Sequence, residues 1–331
     1  MSELYPLLLI PIFDERPWGV RDLRPIYTRV VKEPIGESWL TWEDNRVANG
    51  PLAGQTLGEL SKRYGRDLVG QATCYDDRFP LLTKFLFTAA KLSVQVHPDD
   101  EQARKAGQPC GKSECWYALA AKPGAQVALG LKNGTALQQF EQAIADKRAE
   151  DLLNWVDVHA GDMLYVAAGT VHTIGGGLIL VETQQTSDIT YRLYDYGRPR
   201  ELHIAEGLAA TKLHTNAGKV VRHPGEAQDV LVRSPYFQVE KIGLREPMPA
   251  EVSSASPHIL VAIDGAGKVE SQGMEPISFA TGEAVVVPAA VPAYTVRPQW
   301  ELEIMRMSLP AGVVPEPETV LVQAVGAPTS E

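Results

Sequence analysis

Along most of the chain, apolar and polar positions alternate in short runs, as half-buried strands require. In "KLSVQVHPDD" Leu92, Val94 and Val96 fall on one face, with Lys91, Ser93, Gln95 and His97 on the other. The runs "AQVALGLKNG", "GDMLYVAAG", "GLILVETQQ", "DITYRLYDYG", "FQVEKIGL", "HILVAIDGAG", "GEAVVVPAA" and "WELEIMRMSL" are likewise alternating or β-rich, and Gly, Pro, Asn and Asp separate them. Many short strands at close spacing predict a mainly β protein, a barrel or sandwich with helices inserted in its loops. Helical periodicity is confined to a few stretches. Residues 55–70 put Leu57, Leu60, Tyr64 and Leu68 on one face, and 135–156 opens with Thr135 as N-cap. Residues 201–214 form a third candidate, and 99–107 a short fourth with Asp99 capping and Gly107 ending it.

The stretch "VVRHPGEAQDVLVRSPY" (220–236), bracketed by Pro224 and Pro235, reads as a connector and sets a domain boundary near residue 235. On either side of it, "GDMLYVAAGTVH" (161–172) and "GEAVVVPAAVPA" (282–293) align without gaps. The first copy ends in His172 and the second in Ala293. A strand–turn–strand unit ending in His is similar to the second signature of cupin barrels, where the turn brings the His to a metal. The predicted fold is therefore two cupin-type β-barrel or jelly-roll domains with a few inserted helices. Residues 1–235 form the metal-binding catalytic domain and 236–331 a metal-free one, whose only His, His258, has no QxH partner.

Composition narrows the function. Across 331 residues, 44% apolar and 22% charged content describe an ordinary globular protein with room for a sizeable core. A net charge of −10 argues against nucleic acid or an anionic membrane as partner, since both want clustered Lys and Arg. A locally basic pocket for a small anion stays open. The opening "MSELYPLLLIPIF" lacks a basic leader and contains Pro6 and Pro11, so it reads as an extended segment and not a signal peptide. Nothing approaches the ~20 apolar residues of a membrane helix. Cys74, Cys110 and Cys115 are odd in number without CxxC spacing, which points to reduced thiols and a cytoplasmic protein, with Cys115 a small buried hydrophobe.

A Gln and a His two residues apart on the polar face of a strand, stopped by Pro98, need a shared target. His172 in its Gly-rich turn and Glu114, which begins another strand with Trp116 on the same face, are candidate partners. Two imidazoles, a carboxylate and an amide oxygen make a mixed shell suited to zinc and, less selectively, to Fe, Co or Mn. The other histidines read as structural.

Taken in order, "LSVQVHPDD", "GKSECWYAL" and "VAAGTVHTIGGGLILVETQQTSDITYRLYDYGR" resemble type I mannose-6-phosphate isomerase (phosphomannose isomerase), as do "RPWGV" and "IGESWLT". The likeness covers most of residues 10 to 210. It implies one zinc per chain bound by Gln95, His97, Glu114 and His172. It also implies a substrate site lined by Lys112, Glu182, Asp188 and Arg192, which interconverts mannose 6-phosphate and fructose 6-phosphate. The partner is then a phosphorylated sugar, and the chain a monomer or homodimer. The chain departs from the family at Gly111, where some members carry a His, and at Ala167, where many cupin turns have Pro. It also lacks the long helical domain of the larger enzymes, as the short bacterial form does. Two rivals are another metal-dependent sugar isomerase and a non-catalytic sugar-binding cupin.

Moving a proton between neighbouring carbons needs a base, a group to steady an enediolate oxygen and a phosphate anchor. Lys112 projects to the side of Glu114 if the segment is extended, and Asp188 and Arg192, four apart in a strand, share a face. Lys91, facing with Gln95 and His97, is a further cation for a phosphate. Trp18, Glu37 and Trp39 read as supports for the core or barrel mouth. Glycines 175–177 read as a tight turn as readily as a phosphate cradle, and "RPRELH" (198–203) as a solvated turn.

Overall fold

The structure, a computed structural model, describes residues 3–73, 77–221, 229–310 and 320–323. Among these residues it is mainly β, with strands far outnumbering five short α-helices. Cys74 and part of the expected connector (222–228) lie outside the described residues.

Two compact units interleave along the chain. One comprises Met1–Glu15, Arg21–Phe85 and Pro224–Thr319, the other Arg16–Val20, Leu86–His223 and Val320–Glu331. This grouping differs from a single cut near residue 235, because 21–85 gathers with the C-terminal residues. The connector reading also changes, since Val230–Arg233 is a strand paired antiparallel with Gln238–Leu244.

The first unit carries an antiparallel sheet ordered Leu7–Leu9, Ala284–Val287, His258–Glu270, Ala293–Ser308, Gln238–Leu244, Val230–Arg233. Alternate residues face a core that includes Leu260, Phe279, Val285, Val287, Val296 and Ile304. Each such apolar side chain contributes roughly 1.5–3 kcal/mol on burial.

The second unit holds a sheet ordered Tyr191–Tyr194, Val94–Val96, His172–Ile174, Gln126–Leu131, Leu153–Asp157. A second run orders Ala217–Lys219, Met163–Val166, Glu114–Ala121, Leu178–Gln185. Trp116, Leu129, Leu164, Ile174 and Leu180 fill its core, and Trp18 joins them. The repeat seen in the sequence has a local counterpart in each unit. Gly161 (φ 94) and Gly282 (φ 93) both turn the chain into a short strand, Met163–Val166 or Ala284–Val287. The following strands begin at His172 and Ala293. Only glycine adopts that left-handed backbone without strain.

Among the helices, Asp99 caps Asp100–Lys105, with Asp99 Oδ1 accepting from Gln102 N at 2.9 Å, and Gly107 (φ 74) follows its end. The 55–70 periodicity resolves into Leu57–Tyr64 and Arg66–Val69, separated at Gly65. The third candidate is Ile204–Ala210. The expected helix over 135–156 is too long, and its cap is Ala136 instead of Thr135. Its helix is Leu137–Ala145, Lys147 turns left-handed (φ 59), and Leu153–Asp157 is a strand on Gln126–Leu131. Strand pairing overrides helical spacing there.

Candidate metal centre

The centre is assembled by register. Gln95 lies in the Val94–Val96 strand, directly opposite His172 on one side and Arg192 on the other. Glu114 opens its strand opposite Gln184, and Glu182 stands opposite Trp116. Lys112, Glu114 and Trp116 thus point to one side, toward the face that bears Glu182.

Both imidazoles are oriented by backbone carbonyls. His97 Nδ1 is 2.8 Å from Ile189 O, and His172 Nδ1 is 2.9 Å from Thr170 O. A carbonyl only accepts, so each Nδ1 carries the hydrogen and each Nε2 turns a lone pair inward. Burial pushes the His172 imidazole down to about 4, with nearby Lys112 acting in the same direction, so the ring is neutral and able to ligate.

His97, Glu114 and His172 offer donor atoms within 4.8 Å of one another, all buried. His172 Nε2 lies 3.3 Å from Glu114 Oε1, and His97 Nε2 lies 3.6 Å from Glu114 Oε2. The Gln95 amide Nε2 is 3.2 Å from His172 Nε2. A half-turn of that amide puts an oxygen donor in the same place. A tetrahedron with bonds of ~2.0–2.1 Å has edges of about 3.3–3.4 Å, so the spacing and chemistry of this donor set fit a zinc-sized cation. Lys112 marks the same preference for positive charge. Its ammonium donates to His97 Nε2 at 3.0 Å and to Glu114 Oε2, and lies 4.0 Å from Glu182 Oε1.

The other expected site residues divide. Arg192 is half-buried: its Nη1 donates to Glu201 O at 2.7 Å, while its buried Nε has no hydrogen-bond partner. Burial pulls the Arg192 guanidinium below its usual range, and Arg200, Arg16 and Arg198 add repulsion against the pull of Asp195. Asp188 is exposed and precedes the Tyr191–Tyr194 strand, so it does not share a strand face with Arg192. The "RPRELH" tract is not merely solvated. Arg198 and Arg200 both bind the buried Asp195, with Arg200 reaching it at 2.7 Å through two nitrogens. Lys91 is not a free cation, because it pairs with Glu150 at 2.6 Å beside the Trp155 ring. The glycine turn is structural. Gly175 N and Gly177 N already donate to Gln126 O and Thr88 O, and a Cβ on Gly175 would lie 2.4 Å from Gln126 O. Cys110 and Cys115 are buried, and burial raises the Cys115 thiol well above the usual range.

Sequence reasoning passed over Lys84. In the first unit its buried ammonium sits 3.3 Å from Glu37 Oε2 and 4.8 Å from the Trp39 ring centre, while Trp39 Nε1 donates to the same Glu37 oxygen at 2.6 Å. The signal was available. A lone Lys inside the apolar run "FPLLTKFLF" must find a carboxylate if it is buried.

A mainly β fold with two buried imidazoles, a carboxylate and an amide converging on one point defines a cupin-type metalloprotein. Comparison with known proteins makes this more particular. Residues 22–141 match the family described as phosphomannose isomerase type I, catalytic domain. The chain is 36% identical over 299 residues to mannose-6-phosphate isomerase ManA of Bacillus subtilis (strain 168), covering 86% of this chain and 93% of that protein. The crystal structure of the mannose 6-phosphate isomerase from Bacillus subtilis superposes with a TM-score of 0.79 at 31% identity, covering 91% of this chain and 99% of that one. A zinc-bound mannose 6-phosphate isomerase structure shares the fold at 16% identity, with a TM-score of 0.72 over 91% of this chain and 98% of that one. The chain belongs to the type I phosphomannose isomerase family.

Proposed function

We propose that this chain is an aldose–ketose isomerase that interconverts mannose 6-phosphate and fructose 6-phosphate, with one zinc held by Gln95, His97, Glu114 and His172. The observation that carries the reading is the buried His97–Glu114–His172 donor set in contact with a lysine, in a chain 36% identical to a mannose-6-phosphate isomerase. A bound zinc would supply Lewis acidity toward the sugar oxygens. The remaining work falls to side chains. Lys112 and Glu182, 4.0 Å apart, are the acid–base pair nearest the ligands, and Asp188 is an exposed carboxylate next in sequence to Ile189, whose carbonyl holds His97. Arg192, beside Gln95 in register, steadies the enediolate oxygen. Arg198 and Arg200 exceed the charge of the one carboxylate they share, Asp195, which supports them as a phosphate anchor.

In this reading residues 1–235 carry the chemistry and 236–331 act as a metal-free support. The protein works in the cytoplasm as a monomer or homodimer on a phosphorylated sugar. Among the described residues no helix is long and apolar enough to cross a membrane.

The test is turnover of metal-analysed protein in heavy water. A protein-held base exchanges its proton with solvent while the enediol lives, so deuterium should enter the migrating carbon position. No deuterium after many forward and reverse turnovers would indicate a hydride shift and remove the base role from Lys112, Glu182 and Asp188. No fructose 6-phosphate formation at full zinc occupancy would end the reading.

A further inference from the structure

Trp116 is fully buried on the Glu114–Ala121 strand, two residues from Glu114 and directly across from Glu182 on Leu178–Gln185. It belongs to the hydrophobic core of its unit, where a phenylalanine would serve packing alone. Its one polar atom does something more. The indole Nε1–H donates to Glu182 Oε2 at 2.9 Å, while the other carboxylate oxygen, Oε1, lies 4.0 Å from Lys112 Nζ. The other side of the indole is also constrained, with its ring centre 5.6 Å from that of His172.

We propose that Trp116 is a positioning residue for Glu182: its indole N–H engages Oε2, sets the carboxylate rotamer and leaves Oε1 as the oxygen that exchanges a proton with substrate. This rests on the reading of Glu182 as a proton-transfer group. The chemistry of the donor favours the assignment. An indole N–H donates and never accepts, so the oxygen it holds stays an acceptor and a proton taken up by the carboxyl falls to the other oxygen. A carboxylate almost wholly out of water and engaged by a directional indole donor is restrained in its rotamer, and a base must lie within hydrogen-bond reach of its proton with correct aim. Cross-strand register supplies the rigidity, because the two residues are paired partners in a ladder that continues to Gln184 and Glu114. One strand pair therefore fixes both a metal ligand and the orientation of a base.

The experiment is a double-substitution cycle on protein matched for zinc content and checked for fold by circular dichroism. Trp116→Phe should lower kcat for mannose 6-phosphate roughly ten- to hundredfold, the worth of one hydrogen bond to a charged group, with KM nearly unchanged. Glu182→Gln should lower kcat further. In the Glu182→Gln background Trp116→Phe should then cost almost nothing, because the indole has no base left to aim. Wild-type kcat in Trp116→Phe overturns the inference. So does the same proportional loss in both backgrounds, which is what a packing role alone produces. If Glu182→Gln itself keeps wild-type turnover, the catalytic reading of Glu182 fails first, and that outcome is distinct from either. Should Trp116→Phe not fold, Trp116→Tyr takes its place. Its hydroxyl fills more of the indole's volume than Phe does and is a donor, so a smaller kcat loss is expected, and equal losses in both backgrounds again overturn the inference.

Discussion

At the scale of single residues, the centre depends on what stands behind each donor. Ile189 O and Thr170 O hold the two Nδ1–H groups, so the inward nitrogens are set before any cation arrives. His172→Ala should lose bound metal and isomerase activity together, as read by elemental analysis and a coupled assay. A metal-free His172→Ala protein with full activity would remove His172 from the ligand set. Arg192 differs in kind. It makes a hydrogen bond to Glu201 O, but its buried Nε has none. Such a donor matters most where charge develops, and losing one is commonly worth ~10²–10³ in rate. Arg192→Ala should therefore lower kcat by about that factor with little change in melting temperature. The reverse pattern, a lower melting temperature with intact turnover of the folded protein, would make Arg192 structural.

At the scale of elements, the segment leading into the Glu114–Ala121 strand is braced from several sides. Gly111 N donates to Asp100 Oδ1 at 2.8 Å, Lys112 N to Pro98 O at 3.1 Å and Ser113 N to Gln185 Oε1 at 2.9 Å. Gln185 closes the brace by donating to the same Asp100 oxygen at 2.9 Å. The approach is so tight that a Cβ on Gly111 would sit 2.5 Å from Asp99 C and 2.7 Å from Pro98 O, backbone atoms that cannot step aside. Any side chain larger than glycine's, a His included, therefore has no room at this position. Gly111→Ala should destabilise the fold by about 1–3 kcal/mol, as overpacking does, and lower kcat by shifting Lys112 while zinc content holds. An unchanged melting temperature and unchanged kcat would show that the segment yields.

At the scale of the whole molecule, pH should act on stability through a half-buried cluster far from the catalytic chemistry in sequence. His258 Nδ1 is 2.9 Å from Tyr294 OH, and Arg306 forms a two-point pair with Glu240 at 2.7 and 2.9 Å beside them. Burial pushes His258 down to about 4, with Arg306 adding repulsion and Glu240 opposing it. The unfolded chain binds this proton near the ordinary His value of ~6.5, and the folded chain does so only near 4. The contribution is therefore present above pH ~6.5 and is lost as pH falls toward 4, by about 2 kcal/mol at pH 5. Chemical denaturation at pH 7 and pH 5 should show a pH-linked loss smaller by that amount in His258→Gln. Equal losses in both proteins would show that His258 titrates normally.

The sequence alone determined what is local. Period-two alternation put Gln95 and His97 on the polar face of one strand, Gly161 allowed the turn into the Met163–Val166 strand, and Asp99 and Gly107 marked the ends of a helix, because each depends on φ/ψ preference and neighbours a few residues away. It also carried the family's motif residues, Gln95, His97, Lys112, Glu114 and His172, which the fold gathers into one cluster. Only the tertiary structure decided which partners those residues meet. Gln95 is 77 positions from His172 and Trp116 is 66 from Glu182, separations over which alternation says which face a side chain takes but not which strand it pairs with. The same limit misplaced Lys91, drawn to Glu150 instead of the polar site, and hid the strand at Leu153–Asp157 inside a helical spacing. Asp188 was set on a strand that begins three residues later, and Lys84 passed as one more residue of an apolar run. Register between distant strands is chosen by the summed burial and hydrogen bonding of whole ladders, and no short stretch of this chain contains that sum.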